Sequence, residues 1–213
     1  MFEVVESLEK LNELLGGKNA VIAENDEFYF AFFDNIVRVF KKPRSLQEIQ
    51  GILLARFFPQ VIVKKLHQVQ ENKAIQIAKD LNKQGLFLEG PAGVGKTFAC
   101  IFAISQLMKL YEVNNPLYIS CVTYRKSVWE LYQDADCYLI DDLNANISDV
   151  ELKLVEKVIY TAWNEKRYLF ITSNTPIAKL QNLIAEPILS RILSLCRYAK
   201  IEDIDYRVCA NFA

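Results

Sequence analysis

The segment Gly90-Pro91-Ala92-Gly93-Val94-Gly95-Lys96-Thr97 constrains this chain more than any other. An apolar run, Leu86-Phe87-Leu88, leads into it, and a long apolar-periodic stretch begins at Phe98 on its far side. Strand, glycine-rich turn, helix is the order in which a phosphate-binding loop is built. The glycines let successive backbone N–H groups converge on one anion without a Cβ in the way. The helix behind adds its unpaired N–H groups and the positive end of its dipole. In this reading Gly90 to Phe98 line the phosphates of a nucleotide. Lys96 reaches the β- and γ-phosphates, and the Thr97 hydroxyl is a Mg²⁺ ligand. The plain alternative is a Gly/Pro turn between a buried strand and a core helix; the full spacing with both flanks favours nucleotide binding.

A chain of 213 residues is one ordinary domain, or one domain with a small appendage. Apolar residues make up 52% of it, enough for a substantial core. The longest purely apolar runs, such as residues 28–33, fall far short of a membrane span, and no cationic stretch precedes a long apolar one at the N-terminus, so no secretory signal is expected. The five cysteines (Cys100, Cys121, Cys137, Cys196, Cys209) are scattered and never spaced as CxxC. Buried reduced thiols in a cytoplasmic protein are the expectation, rather than a zinc site or disulfides. A net charge of −1 removes the simplest reason to expect nucleic-acid binding, so any such surface must be local.

Before the loop, residues 1–15 carry apolar positions at helical spacing and predict an amphipathic helix ended by Gly16-Gly17. Residues 20–40 are rich in β-branched and aromatic residues and predict a small β-hairpin turning at Asp34-Asn35. Its aromatics serve either as a partner surface or as packing against the first helix. Lys41-Lys42-Pro43-Arg44 breaks the pattern and sets an expected boundary between an N-terminal region, 1–43, and the main domain, 44–213. Ser45-Leu46-Gln47-Glu48 is a capping box opening a helix. A second helix is expected from Gln60 to Gln84, closed by Gly85. Across residues 44–84 the bases Arg44, Arg56, Lys64, Lys65, Lys73, Lys79 and Lys83 outnumber the acids. They form either a phosphate-backbone contact or a solvated helix face. The lone His67 is expected at the surface or in boundary packing.

Beyond the loop, strand-like and helix-like runs alternate. Strands are expected at 117–122, 137–140, 168–172 and 197–201, with helices near 123–133, 148–165 and 176–194, the last broken at Pro187. Ser148 to Glu151 is a capping box, and Thr175-Pro176 reads as an N-cap followed by proline. The alternation implies an α/β fold with a five-stranded parallel sheet covered on both faces, its chemistry at the C-terminal ends of the strands. One such strand ends in Asp141-Asp142. Asp141 fits the acid that holds Mg²⁺ through water, and Asp142 the group that polarises the attacking water, although its side chain is shorter than the glutamate common there. The next strand ends Thr172-Ser173-Asn174-Thr175-Pro176; Asn174 is the candidate for contacting the γ-phosphate or the water, with a plain turn as the alternative. Ser190-Arg191 precedes the final strand. Arg191 either reaches a neighbouring subunit's γ-phosphate, where it would offset transition-state charge, or forms a surface ion pair.

In this order GPAGVGKT, YLIDDL, FITSNTP and ILSRI, with a tail ending Asp205-Tyr206-Arg207, resemble the AAA+ ATPases of the DnaC-type helicase loaders and their IstB-type transposition-helper relatives. The resemblance spans about residues 60–208. It implies a three-layer P-loop fold without a C-terminal helical lid, and ATP hydrolysis at a site shared between subunits of a homo-oligomer. Carried over by residue, it implies Lys96 and Thr97 on nucleotide and metal, and Asp141 and Asp142 as the acid pair. Asn174 would be the sensor, Arg191 the finger acting in trans, and Arg207 a further tail arginine. The implied partner is a replicative hexameric helicase, with single-stranded DNA as effector; a transposition or plasmid/phage replication helper, or a nucleotide-dependent scaffold, is the alternative. Two departures stand out. Only residues 122–136 separate the second and third strands, so the helical element that helps loaders contact DNA is expected to be absent or reduced, although Tyr124-Arg125-Lys126 and Trp129 offer either a cationic stacking surface or a short core helix. Residues 1–43 lack metal-ligand spacing.

Overall fold

The computed structural model describes residues 3–16, 21–33, 36–81, 84–123, 131–144 and 146–206. Near the N-terminus a two-residue strand β1 (Glu3–Val4) precedes helix α1 (Leu8–Leu14), and β2 (Val21–Glu24), β3 (Phe28–Phe33) and β4 (Ile36–Lys41) follow. The predicted helix therefore starts late. The Ser7 side chain accepts the Lys10 N–H as an N-cap, and that cap ends the preceding extended segment. The predicted hairpin is the middle of a larger sheet, ordered β1-β4-β3-β2, in which β2, β3 and β4 are antiparallel and β1 adds in parallel to β4. The expected turn at Asp34-Asn35 lies outside the described residues. One face of this sheet places Tyr29, Ala31 and Phe40 against Val5, Leu11 and Leu15.

The larger sheet consists of β5 (Gly85–Glu89), β6 (Pro116–Ser120), β7 (Cys137–Asp141), β8 (Tyr168–Ser173) and β9 (Cys196–Lys200). Its order is β6-β7-β8-β5-β9, and every pairing is parallel. Alternate residues of each strand pack on opposite faces. Leu86, Leu88, Leu139 and Phe170 meet α2 (Leu46–Ala55), α4 (Lys73–Lys79) and α5 (Lys96–Lys109). On the other side Phe87, Tyr138, Ile140, Leu169 and Ile171 meet α6 (Asp149–Asn164), α7 (Ile177–Leu180) and α8 (Glu186–Leu195). This is the expected three-layer α/β fold. Among the described residues no helix is long and apolar enough to cross a membrane.

Three local expectations are corrected. The single helix expected over residues 60–84 is α3 (Gln60–Val63), a 3₁₀ turn at Lys64–His67, a loop, and α4. The Asn72 side chain caps Ile75 N and starts α4 afresh. Gly85 opens β5 rather than closing a helix. A Cβ built there would overlap the carbonyl of Leu169, so only glycine lets β5 approach β8 this closely. Pro176, not Thr175, occupies the N-cap position of α7, so the helix starts one residue later than expected. The capping box at Ser148 forms with both reciprocal bonds. Of the expected helix near 123–133, residues 124–130 lie outside the described residues, and Tyr132–Asp134 is a 3₁₀ turn.

The basic surplus divides by role. Arg44 donates to the carbonyls of Met108 and Val113, tying the start of α2 to the end of α5 and the segment after it, and Arg56 Nε donates to that of Pro116 at the start of β6. Lys79 pairs with Glu71. Lys64, Lys65, Lys73 and His67 are exposed.

Candidate nucleotide site

The loop between β5 and α5 lies at the C-terminal edge of the parallel sheet, where β7 and β8 also deliver their polar tips. Gly95 takes a left-handed φ of 87° as the N-cap of α5, and Gly93 a φ of 83°. These conformations aim backbone N–H groups inward as the sequence requires. Gly93 also contacts the tail: a Cβ there would overlap the Asp205 carboxylate, and Tyr206 N donates to Gly93 O at 3.2 Å. Arg207 lies outside the described residues.

Lys96 is buried and donates to Gly90 O at 2.9 Å, Pro91 O at 2.7 Å and Asn174 Oδ1 at 2.7 Å. Thr97 Oγ1 donates to Asp141 Oδ1 at 2.8 Å. Asn174 Nδ2 donates to Asp142 Oδ1 at 3.3 Å. Thus Lys96, Thr97, Asp141, Asp142 and Asn174, chosen from three separate stretches of sequence, converge on one spot. On the loop side Ala92, Gly93, Gly95 and Phe98 line the cleft, Gly90 and Pro91 offer their carbonyls to Lys96, and the Val94 side chain is buried in the core instead. Arg191 is not among them. It lies on α8 with its guanidinium 5.3 Å from the Tyr160 ring centroid and 5.0 Å from that of Trp163, both on α6. Its Nε is buried without a hydrogen-bond partner among the described residues.

Several residues of the site carry no motif of their own. Asp141 is only 5% exposed, yet it accepts from three hydroxyls. Besides Thr97 these are Thr172 Oγ1 at 2.6 Å, on Oδ1, and Tyr118 OH at 2.6 Å, on Oδ2. Burial, with the Asp141 charge beside it, pushes the Tyr118 phenol far above its ordinary value, so it stays a donor. Glu89, at the tip of β5 and 4% exposed, accepts from Ile177 N at 2.7 Å and Tyr198 OH at 2.8 Å. It thereby pins the chain just after Asn174. Burial, and then this bond, push Tyr198 up to about 12. An interior carboxylate at a strand end would be costly without such donors, and that cost is the signal that could have singled out Glu89 from the sequence.

A cleft of about 490 Å³ opens from the loop and Asn174 towards Val61, Ile62, Gln68 and Tyr206. Its size is that of a small-molecule site. Thr97 and Asp142 line its inner end, with Asp141 bonded to Thr97 behind them; this all-oxygen set of a hydroxyl and carboxylates suits a hard cation such as Mg²⁺.

These features define the P-loop NTPase fold. Residues 86–175, less than half of the chain, match the family model described as RNA helicase. No curated protein sequence matches the chain. Among solved structures, DnaI superposes with a TM-score of 0.56 at 23% identity, covering 68% of this chain and 95% of that one. The DnaC helicase loader gives 0.52 at 17%, covering 64% and 96%. The replication initiator DnaA bound to AMPPCP and single-stranded DNA gives 0.52 at 18%, covering 65% and 50%. What is shared at these identities is the fold, and it is the fold of the DnaC-type AAA+ helicase loaders whose motifs the sequence resembles.

Proposed function

We propose that this chain binds ATP with Mg²⁺ and hydrolyses it to ADP and phosphate as a switch in DNA replication of the helicase-loader kind. One observation carries the reading: Asn174 bonds to Lys96 on one side and Asp142 on the other, joining the phosphate-binding lysine to the water-side acid. The loop N–H groups and Lys96 hold the phosphates, and the apolar end of the cleft at Val61 and Ile62 receives the base. Asp142 accepts a hydrogen bond from the water that attacks the γ-phosphorus, as the bond to the ADP oxygen breaks. Asn174 orients that water or the γ-phosphate. Thr97 and Asp141 would hold Mg²⁺, which supplies charge neutralisation on the β- and γ-oxygens when bound.

In this proposal Arg191 comes from a neighbouring copy in a homo-oligomer. Residues 1–43 form a partner-binding region ahead of an ATPase domain, 44–213. The client is a replicative hexameric helicase, single-stranded DNA is the effector, and the setting is cytoplasmic. Hydrolysis is slow or partner-stimulated, in keeping with the short Asp142 side chain.

The test measures phosphate release with and without single-stranded DNA for the wild type, Lys96→Ala and Arg191→Ala. Both variants should be inactive alone, and mixing them should restore turnover, because one supplies the finger and the other the loop. Full activity in Arg191→Ala would remove the shared-site reading. Absence of nucleotide binding in the wild type would remove the whole proposal.

A further inference from the structure

Thr172 on β8 bonds both Asp141, the last residue of β7, and Asp142 just beyond it, and its burial is complete. Its position follows from the sheet register. Leu139 pairs with Phe170, so Asp141 and Thr172, each two residues further on, share the α5 face. Tyr118 pairs with Leu139 across the other neighbour and projects to the same face. The Thr172 hydroxyl donates to Asp141 Oδ1 and accepts the Asp142 N–H at 2.9 Å, so one oxygen serves both acids. That second bond bears on strain, because Asp142 has a φ of 56°, a left-handed backbone that non-glycine residues disfavour. Tyr118 holds the other carboxylate oxygen, and its ring packs on Phe58 with centroids 5.5 Å apart.

We propose that Thr172 and Tyr118 are positioning residues for hydrolysis. Thr172 fixes the strained turn that separates the metal-side acid from the water-side acid. Tyr118 fixes the rotation of the Asp141 carboxylate so that Oδ1 faces Thr97. This rests on the ATPase reading above and adds to it the groups that set its geometry.

The test uses the full chain as Thr172→Val, which keeps the shape without the hydroxyl, Thr172→Ser, which keeps the hydroxyl, and Tyr118→Phe. Three readouts are followed: exchange of the Asp142 amide by NMR in the protein alone, Mn²⁺ affinity in the presence of AMPPCP by EPR, and ATP turnover. In Thr172→Val the Asp142 amide should exchange at least about 10-fold faster. Mn²⁺ affinity and kcat should each fall about 10- to 100-fold, while KM for ATP stays within about 3-fold. Thr172→Ser should restore all three, and Tyr118→Phe should weaken Mn²⁺ about 10-fold with the amide still protected. Wild-type Mn²⁺ affinity and kcat in Thr172→Val would overturn the proposal, as would a serine variant no better than valine, which would point to methyl packing. If the valine variant does not fold, unchanged Mn²⁺ affinity in Tyr118→Phe overturns it instead. A wild type that binds Mn²⁺ with AMPPCP yet releases no phosphate from ATP would sink the hydrolysis reading alone, and the exchange and metal measurements would still decide this one.

Discussion

The two sheets are made from similar residues and put them to opposite use. In the parallel sheet Leu86, Phe87 and Leu88 have no exposed surface at all, because helices cover both faces. Its C-terminal edge carries Asp141, Asp142 and Asn174, and the edge strand β9 is its most exposed strand, with Tyr198 at 36%. In the N-terminal sheet one face is buried, while Val21, Phe32 and Val37 are 72%, 42% and 53% exposed on the other. Those three side by side form an apolar row across three strands, since Val21 pairs with Phe32 and Phe32 with Val37. A sheet covered on both faces concentrates chemistry at one edge. A sheet covered on one face presents a whole surface instead.

That contrast can be broken at several points. The largest effect is expected from Phe40→Ala, on the covered face of the N-terminal sheet at 3% exposure. It should cost about 3–5 kcal/mol of the stability of that sheet. Hydrogen exchange of the β3 and β4 amides would measure the loss, and unchanged ATP affinity would mark the two sheets as energetically separate. Lys96→Ala should lower turnover about 10²–10³-fold, or about 2.7–4 kcal/mol, while leaving exchange in β3 and β4 as it was. Slower exchange or faster exchange there would show that the loop speaks to the other sheet.

Alkaline titration comes next. Cys121 is pushed from 9.0 to about 12, chiefly by burial and then by the Asp141 charge, and burial raises Cys100, Cys137 and Cys196 as well. Above pH 9 the unfolded chain gives up thiol protons that the folded one keeps. It then binds fewer protons, so stability falls as pH rises, by up to about 1.4 kcal/mol per pH unit for each such thiol. Urea midpoints should be level from pH 7 to about 8 and fall beyond 9. Residues 3–41 contain no cysteine, so local opening of the N-terminal sheet should not follow that fall. The smallest effect belongs to Phe32→Ser, expected within about 0.5 kcal/mol in urea melts. A cost as large as that of Phe40→Ala would mean that both faces of this sheet are covered.

The loop, the acid pair and Asn174 were legible because each lies at the end of an apolar run, and strand ends in a parallel sheet share an edge. Tyr118 and Thr172 were not, because their meaning depends on β7 lying between β6 and β8, a neighbourhood that linear spacing does not encode. The long helix expected before β5 failed for a local reason. Leu66, Val69, Ile77 and Leu81 keep helical phase across a gap, while Asn72 supplies the cap that restarts the chain. In the N-terminal sheet, the pairing of the two-residue β1 with β4 rests on contacts too few to leave a periodic trace.

Gly85 lies at the opposite end of β5 from the glycine-rich loop, yet it acts as the zero mark of a ruler. A slip of β5 along β8 by one residue, about 3.3 Å, would bring Gln84 or Leu86 opposite the Leu169 carbonyl, where no side chain fits. Such a step would carry Lys96 past Asn174 and flip alternate residues of the strand to the wrong layer. The alignment of lysine, asparagine and acid is thus calibrated by the absence of one methyl group at the far end of the sheet.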